Sequence, residues 1–260
     1  AQRHSSRWCD ALIPRYDMNQ WLREHGMVAP DHPAIFVNTS SHETEIFADA
    51  ESFLAQHGED RIVAKPEYAA SGGHLMDPHA QGILNVTVRE MAKIWNTSYL
   101  YFSDFKCESG SLCAQIAQQF GQPALFRIPP YLVASRNFLI GGLGSGLPFH
   151  KHGMTWQGLS LGRKAWYVVP AGSMSESMHN LTGPYLFPAR TYHAALLQEP
   201  LGQRPLFCVQ HPGEVVYLPP SWWHATMNLD GYELAYGEKP VAVETLKERS
   251  PALAEIMKVF

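Results

Sequence analysis

Residues 147–170 read LPFHKHGMTWQGLSLGRKAWYVVP, and the fold turns on this stretch. On an extended strand alternate side chains share a face, so His150 and His152 can address one point. Two apolar runs follow, 156–160 and 164–169, parted by Gly162-Arg163, which reads as a pair of short strands around a turn. A second stretch, PGEVVYLPPSWWHATMNL at 212–229, supplies His224, 72 residues after His152. A lone His-x-His pair is more often the polar surface of a strand than a ligand set. Here Pro148-Phe149 precedes the pair and Trp222-Trp223 precedes the third histidine, which makes a shared ion the better explanation.

Outward from this centre, short β-rich runs recur at 131–140, 145–150, 205–210, 214–218, 222–229 and 232–237, punctuated by Gly and Pro. The expected fold is therefore mainly β with flanking helices: a double-stranded β-helix, or jelly-roll barrel. Residues 1–130 read as an N-terminal helical and β buttress, 131–240 as the core with an insertion at 171–204, and 241–260 as a C-terminal helix. Within the buttress, Asp17 is a candidate N-cap for a helix over 18–25. Residues 33–38 and 61–65 read as strands, and 44–57 as a helix ended by Gly58. Residues 86–95 read as a short helix after Asn85, 100–102 as a strand, and 111–120 as a helix. The stretch 66–82 is a loop, and its His74 and His79 read as solvated.

Several elements together resemble the JmjC family of iron(II)/2-oxoglutarate oxygenases: Pro148-Phe149-His150-x-His152, Gly162-Arg163-Lys164, Pro212-Gly213-Glu214 and Trp222-Trp223-His224. The resemblance covers most of 60–240. It is strongest to the small JmjC-only branch of the endoplasmic reticulum lumen, through the run Gly142 to Gly153. It implies a metal site of His150, His152 and His224, with Fe(II) as the ion and Zn(II) as an alternative occupant. It also implies 2-oxoglutarate as cosubstrate, with Lys164 and Tyr101 receiving its distal carboxylate. Two positions depart from the family's pattern. His152 stands where a carboxylate ligand is usual, and Leu147 stands where Ser or Thr commonly donates to the cosubstrate. The implied activity is hydroxylation of a protein or peptide. A catalytically silent JmjC domain that binds a partner is the alternative, and a three-histidine dioxygenase needing no cosubstrate is a third. Glu214 could accept an imidazole N–H or be a surface carboxylate, and Trp222 and Trp223 read as packing residues around the site.

Composition excludes other classes. Net charge is −4 with both signs mixed throughout, so there is no electrostatic footprint for nucleic acid. No apolar run of about 18 residues occurs, so no membrane span is expected. Gly141 to Gly146 precedes a strand and opens no helix, which rejects a nucleotide-cradling reading. Asn38, Asn85, Asn96 and Asn180 each begin a glycosylation sequon, four of the seven asparagines, which points to the secretory route, ER lumen or extracellular. The four cysteines Cys9, Cys107, Cys113 and Cys208 fit that compartment. They allow three pairings, of which Cys107–Cys113 with Cys9–Cys208 is the expectation taken here.

Overall fold

The computed structural model describes residues 9–39, 49–66, 84–98, 100–104, 109–127, 132–170, 172–173, 176, 189–200 and 202–242. Twelve strands are assigned among them. They are β1 (Arg15–Asp17), β2 (Ala34–Val37), β3 (Arg61–Pro66), β4 (Leu84–Thr87), β5 (Leu100–Asp104), β6 (Leu132–Gly141), β7 (Thr155–Leu161), β8 (Lys164–Val169), β9 (Leu206–Gln210), β10 (Val215–Leu218), β11 (Trp223–Asn228) and β12 (Glu233–Ala242). Five α-helices accompany them: α1 (Met18–His25), α2 (Ala50–His57), α3 (Val88–Ser98), α4 (Leu112–Phe120) and α5 (Ala189–Leu196).

The strands form a nine-stranded sheet, ordered β1-β2-β10-β7-β12-β6-β5-β3-β4, and a three-stranded sheet, β11-β8-β9. A fourth line of chain extends the small sheet. Residues 145–150 run antiparallel along β11: Asn228 N donates to Ser145 O at 2.7 Å, Thr226 N to Leu147 O at 2.9 Å and His224 N to His150 O at 2.8 Å. The eight-stranded jelly roll is then four strands, β6-β12-β7-β10, facing four, 145–150, β11, β8 and β9. Hydrogen bonds among the described residues do not close the two sheets into a barrel. The expected strand at 145–150 is instead an irregular edge with one bridge, His150 to His224, because Pro148 has no N–H to donate. Gly146 makes its approach possible: a Cβ there would sit 2.1 Å from the Thr226 carbonyl oxygen.

Side chains separate into layers by the period of two. Trp166, Val168, Leu206 and Cys208 of the small sheet pack against Ile35, Val216 and Leu218 of the large one. On the outer face of the small sheet, Tyr167, Val169, Phe207 and Met227 pack under α5. On the outer face of the large sheet, Phe36, Trp156, Phe138, Tyr217 and Tyr236 meet the helices through Met18, Phe53, Ile116 and Phe120. β7 to β10 are buried along their whole length, which is why they read as continuous apolar runs.

The N-terminal region is woven into this frame. β2 pairs with β10, and β3 to β5 extend the far edge beyond β6. Residues 9–30 hold one α-helix, α1, over the expected span of 18–25. Its Asp17 side chain accepts from Gln20 N at 2.8 Å as an N-cap. Helix α2 begins at Ala50, later than expected, where Asp49 and Ser52 form a capping box; residues 44–48 lie outside the described residues. The helix expected over 86–95 starts at Val88, because 84–87 pairs with β3 as a strand. Thr87 caps it: its Oγ1 accepts from Glu90 N at 3.1 Å, and Glu90 Oε2 accepts from Thr87 N at 2.8 Å. The insertion at 171–204 contains α5, and the expected C-terminal helix lies outside the described residues. No helix among the described residues is long and apolar enough to cross a membrane.

Cys9 and Cys208 form a disulfide, Cα to Cα 4.0 Å, that fastens the segment before β1 to the edge of the small sheet. Asp10 reinforces it, taking a forked ion pair from Arg204 at 2.7 and 2.9 Å and the Phe207 N–H at 2.7 Å. Cys113 is also disulfide-bonded, and Cys107 lies outside the described residues.

Candidate metal centre

His150, His152 and His224 come together at one end of the β11 ladder, with ligand atoms all within 4.8 Å of one another. His150 lies on the irregular edge and His224 directly across from it, through N–H to O bonds of 3.0 and 2.8 Å in both directions. The third ring is held from the other side of the hairpin, where Ser221 N donates to His152 O at 2.8 Å. Ser221 itself has φ +66°, a left-handed turn position that reverses the chain after Pro219-Pro220 and sends it into β11. His152 is thus not on the same regular strand as His150, as the period of two suggested. It belongs to the turn that follows.

Each imidazole is pinned through Nδ1 to a backbone carbonyl. His150 Nδ1 donates to Pro148 O at 2.8 Å, His152 Nδ1 to Gly153 O at 2.8 Å, and His224 Nδ1 to Trp222 O at 3.0 Å. A carbonyl can only accept, so the proton of each neutral ring sits on Nδ1 and the lone pair on Nε2. Burial holds the three rings neutral. It lowers His150 to about 4, lowers His152 below the usual imidazole value, and lowers His224 well below it, with the neighbouring histidines adding to the effect. Three neutral Nε2 donors at one spot, each oriented by a hydrogen bond on the other nitrogen, fit a divalent transition metal. An ion with bonds of about 2.0–2.1 Å would draw them somewhat closer.

The carboxylate that could have oriented a ring does something else. Glu214 is buried and accepts from Arg15 Nε at 2.9 Å and from His211 N at 2.9 Å, tying β1 to the turn before β10. Backbone carbonyls do the orienting instead. Trp166 lies beside the centre, its ring 6.2 Å from that of His224, while Trp223 packs on the outer face of the small sheet with Lys151 Nζ 4.8 Å over its ring. Trp222 packs with the inter-sheet core.

Lys164 is on the same face of the small sheet, four ladder pairs from His224. It is fully buried, as expected for an interior cation, but its Nζ lies 2.9 Å from Glu233 Oε1, also fully buried, and 3.2 Å from Gln157 Oε1. The position expected to receive an external carboxylate therefore already faces an internal one. Burial pushes the Glu233 carboxyl up, and Lys164 pulls it back. Leu147, buried, offers no hydroxyl. Metal fits this centre and 2-oxoglutarate does not. Sequence reasoning missed Glu233. A buried lysine demands a counter-charge, but that requirement alone does not say which carboxylate meets it. The Tyr101 backbone pairs with Gly141, which in turn pairs with Glu233, so it lies two strands from that carboxylate; its side chain is outside the described residues.

Of the sequons, Asn38 is exposed with φ +53°, and its amide donates to Asp17 Oδ2 at 2.8 Å. Asn85 is exposed on β4 and accepts from Arg61 Nε at 3.1 Å. The Asn96 side chain and all of Asn180 lie outside the described residues.

Residues 148–232 match the family model described as JmjC domain, hydroxylase. The human JmjC domain-containing protein 8 is 44% identical over 94 residues, 36% of this chain and 34% of that one. The mouse protein of the same name is 34% identical over 150 residues, 55% of this chain and 49% of that one. The bifunctional arginine demethylase and lysyl-hydroxylase psr-1 of Caenorhabditis briggsae is 27% identical over 130 residues, 45% and 32% of the two chains. The chain thus spans about a third to a half of these relatives. Eight facing strands in jelly-roll order, three histidines converging at one end of them and these matches lead to one conclusion: residues 148–232 carry a JmjC domain, and the chain is similar to the JmjC-only proteins it matches.

Proposed function

We propose that the chain is a metal-binding JmjC domain of the secretory pathway that works by engaging a protein partner. The observation that carries the metal part is the set of three neutral imidazoles, each pinned through Nδ1 with Nε2 turned to a common point. A divalent ion held by three neutral ligands keeps its full charge and has positions left open; Fe(II) there would supply oxygen activation and Zn(II) Lewis acidity. The chain's own part is to fix the tautomers, keep the rings neutral and set the Trp166 indole beside them. The secretory part is supported by the sequons and by the Cys9–Cys208 disulfide. The protein partner is supported by the psr-1 relative, a bifunctional arginine demethylase and lysyl-hydroxylase.

A second reading, a 2-oxoglutarate-dependent protein hydroxylase, is favoured by the open side of the triad and by the family itself. The pairing of Lys164 with Glu233 speaks against it.

The test is a titration of the apo-protein with Co(II), Zn(II) and, anaerobically, Fe(II). The expected result is one ion per chain, with a visible Co(II) spectrum that disappears in His224→Ala. Failure of all three ions to bind would sink the metal reading. Adding 2-oxoglutarate to the Fe(II) protein should give no visible charge-transfer band; a band would install the hydroxylase reading.

A further inference from the structure

We infer that Glu233 is a built-in anion: it occupies the place at Lys164 that a small dicarboxylic acid would take, so the domain holds its metal with a cosubstrate-like site already filled from within. This deepens the reading above and rests on its taking the triad as a metal site.

The two residues come from opposite sheets. Lys164 opens β8, in register with Asn228 of β11 and Gln210 of β9. Glu233 opens β12, in register with Gly141 of β6. Their side chains meet in the layer between the sheets, 2.9 Å apart, and both are shut off from solvent. An isolated ammonium in such a place would be prohibitively costly, so an anion must accompany it. The chain could have left that anion to be supplied from outside, and it supplies its own.

The quality of the contact shows how the anion is held. Lys164 Nζ lies 2.9 Å from Glu233 Oε1, and the Asn228 side chain is the carboxylate's other polar neighbour. A structural carboxylate in the same protein looks different. Glu214 takes a forked guanidinium and a backbone N–H. Glu233 instead rests against one buried ammonium and the Asn228 side chain, with no guanidinium fork. Lys164 lies on the face of the small sheet that carries His224, four ladder pairs along, so the pair and the histidines share the layer between the sheets. Leu147, on the edge strand over the same interior, packs with Leu139, Leu159 and Ala235 and adds no polar group that could recruit a second acid.

The experiment uses the full chain loaded with Co(II), so that the metal reading is checked first by its spectrum. 2-Oxoglutarate and glutarate are then titrated, following calorimetry and thermal midpoint. Wild-type protein is expected to give neither heat nor shift at millimolar acid. Glu233→Ala, which removes the anion and leaves room, should bind both acids at least about tenfold more tightly than wild type. Glu233→Gln, which removes only the charge, should show a smaller gain. The double variant Lys164→Met/Glu233→Leu, folded and metal-loaded, should bind neither. If Glu233→Ala folds poorly alone, recovery of its thermal transition by glutarate and not by chloride is the expected result. Wild type binding either acid as tightly as Glu233→Ala overturns the inference. So does a variant that keeps the Co(II) spectrum but gains no acid binding, or a poorly folded one that glutarate does not recover. Loss of the Co(II) spectrum in wild type would strike the metal reading instead.

Discussion

The two ends of the ladder between β8 and β11 are built from opposite demands. At one end, His224 and its two companions are neutral donors able to take a cation. At the other, Lys164 is a cation that already has its anion. Both lie on one face of one sheet, and burial shapes both. It strips protons from the imidazoles, and at the far end it forces two opposite charges to stay together. The same low-polarity interior therefore opens one site and closes the other. The difference lies in what each end can use to satisfy itself. The histidines spend their Nδ1 protons on nearby carbonyls and keep a lone pair in reserve. The lysine has donors only and no neutral way to stay buried.

The comparison breaks most visibly at the charged end. Glu233→Leu leaves Lys164 buried and unpaired, and it should cost about 3–5 kcal/mol in chemical denaturation, with most of it regained when Lys164→Met is added. If the double variant is no more stable than the single one, the pair is not the unit described here. At the histidine end the lever is pH. His150 has its folded value lowered to about 4 from an unfolded 6.5, so the unfolded chain binds the proton first as pH falls. Apo-protein should therefore be at full stability above about 6.5 and lose about 2–3 kcal/mol between there and pH 4, allowing for the partial exposure of the ring. Denaturation midpoints at pH 7, 5.5 and 4.5 check this, and a His150→Ala variant should show a shallower slope. The smallest effect sharpens the contrast. Gly146→Ala places a Cβ 2.1 Å from the Thr226 carbonyl oxygen. It should cost about 1–3 kcal/mol by forcing the edge strand away from β11. It should weaken Co(II) binding while leaving the interior pair untouched, so any acid binding gained by Glu233→Ala should survive it.

These two ends were unequally legible in the sequence. His150 and His152 announce themselves by spacing, and the Trp222-Trp223-His224 motif draws the third to them. Lys164 could be placed in the interior from its strand and the Gly162-Arg163 turn. Its partner could not, because Glu233 opens a different strand in a different sheet, and only the register of the folded chain brings them face to face. Glu214 misled for the same reason: a carboxylate beside a motif suggests a ring acceptor, whereas Arg15, far away in sequence, claims it. The all-β rhythm followed from the Gly and Pro punctuation after residue 131, and the jelly roll from the histidine spacing and the family resemblance. The entry of β2 beside β10 did not, since a four-residue apolar run does not say which edge it will pair with. Thr87 reads as a less plausible cap than Asn85 from the sequence, yet its reciprocal bonds with Glu90 start α3 at Val88.

The disulfide has a mechanical consequence. Cys9 and Cys208 are separated by 199 positions, so the oxidised chain is a covalent ring that contains β1 to β8, His150 and His152 and closes within β9, with β10 to β12 outside it. A molecule pulled by its two ends transmits force across the Cys9–Cys208 bond and never along the ring. Extension would peel β10, β11 and β12 away, and with them His224, while the rest of the chain bears no load. Reduction would release roughly 70 nm of hidden length, at about 3.5 Å for each residue. The third ligand thus hangs on the part of the fold that tension reaches first.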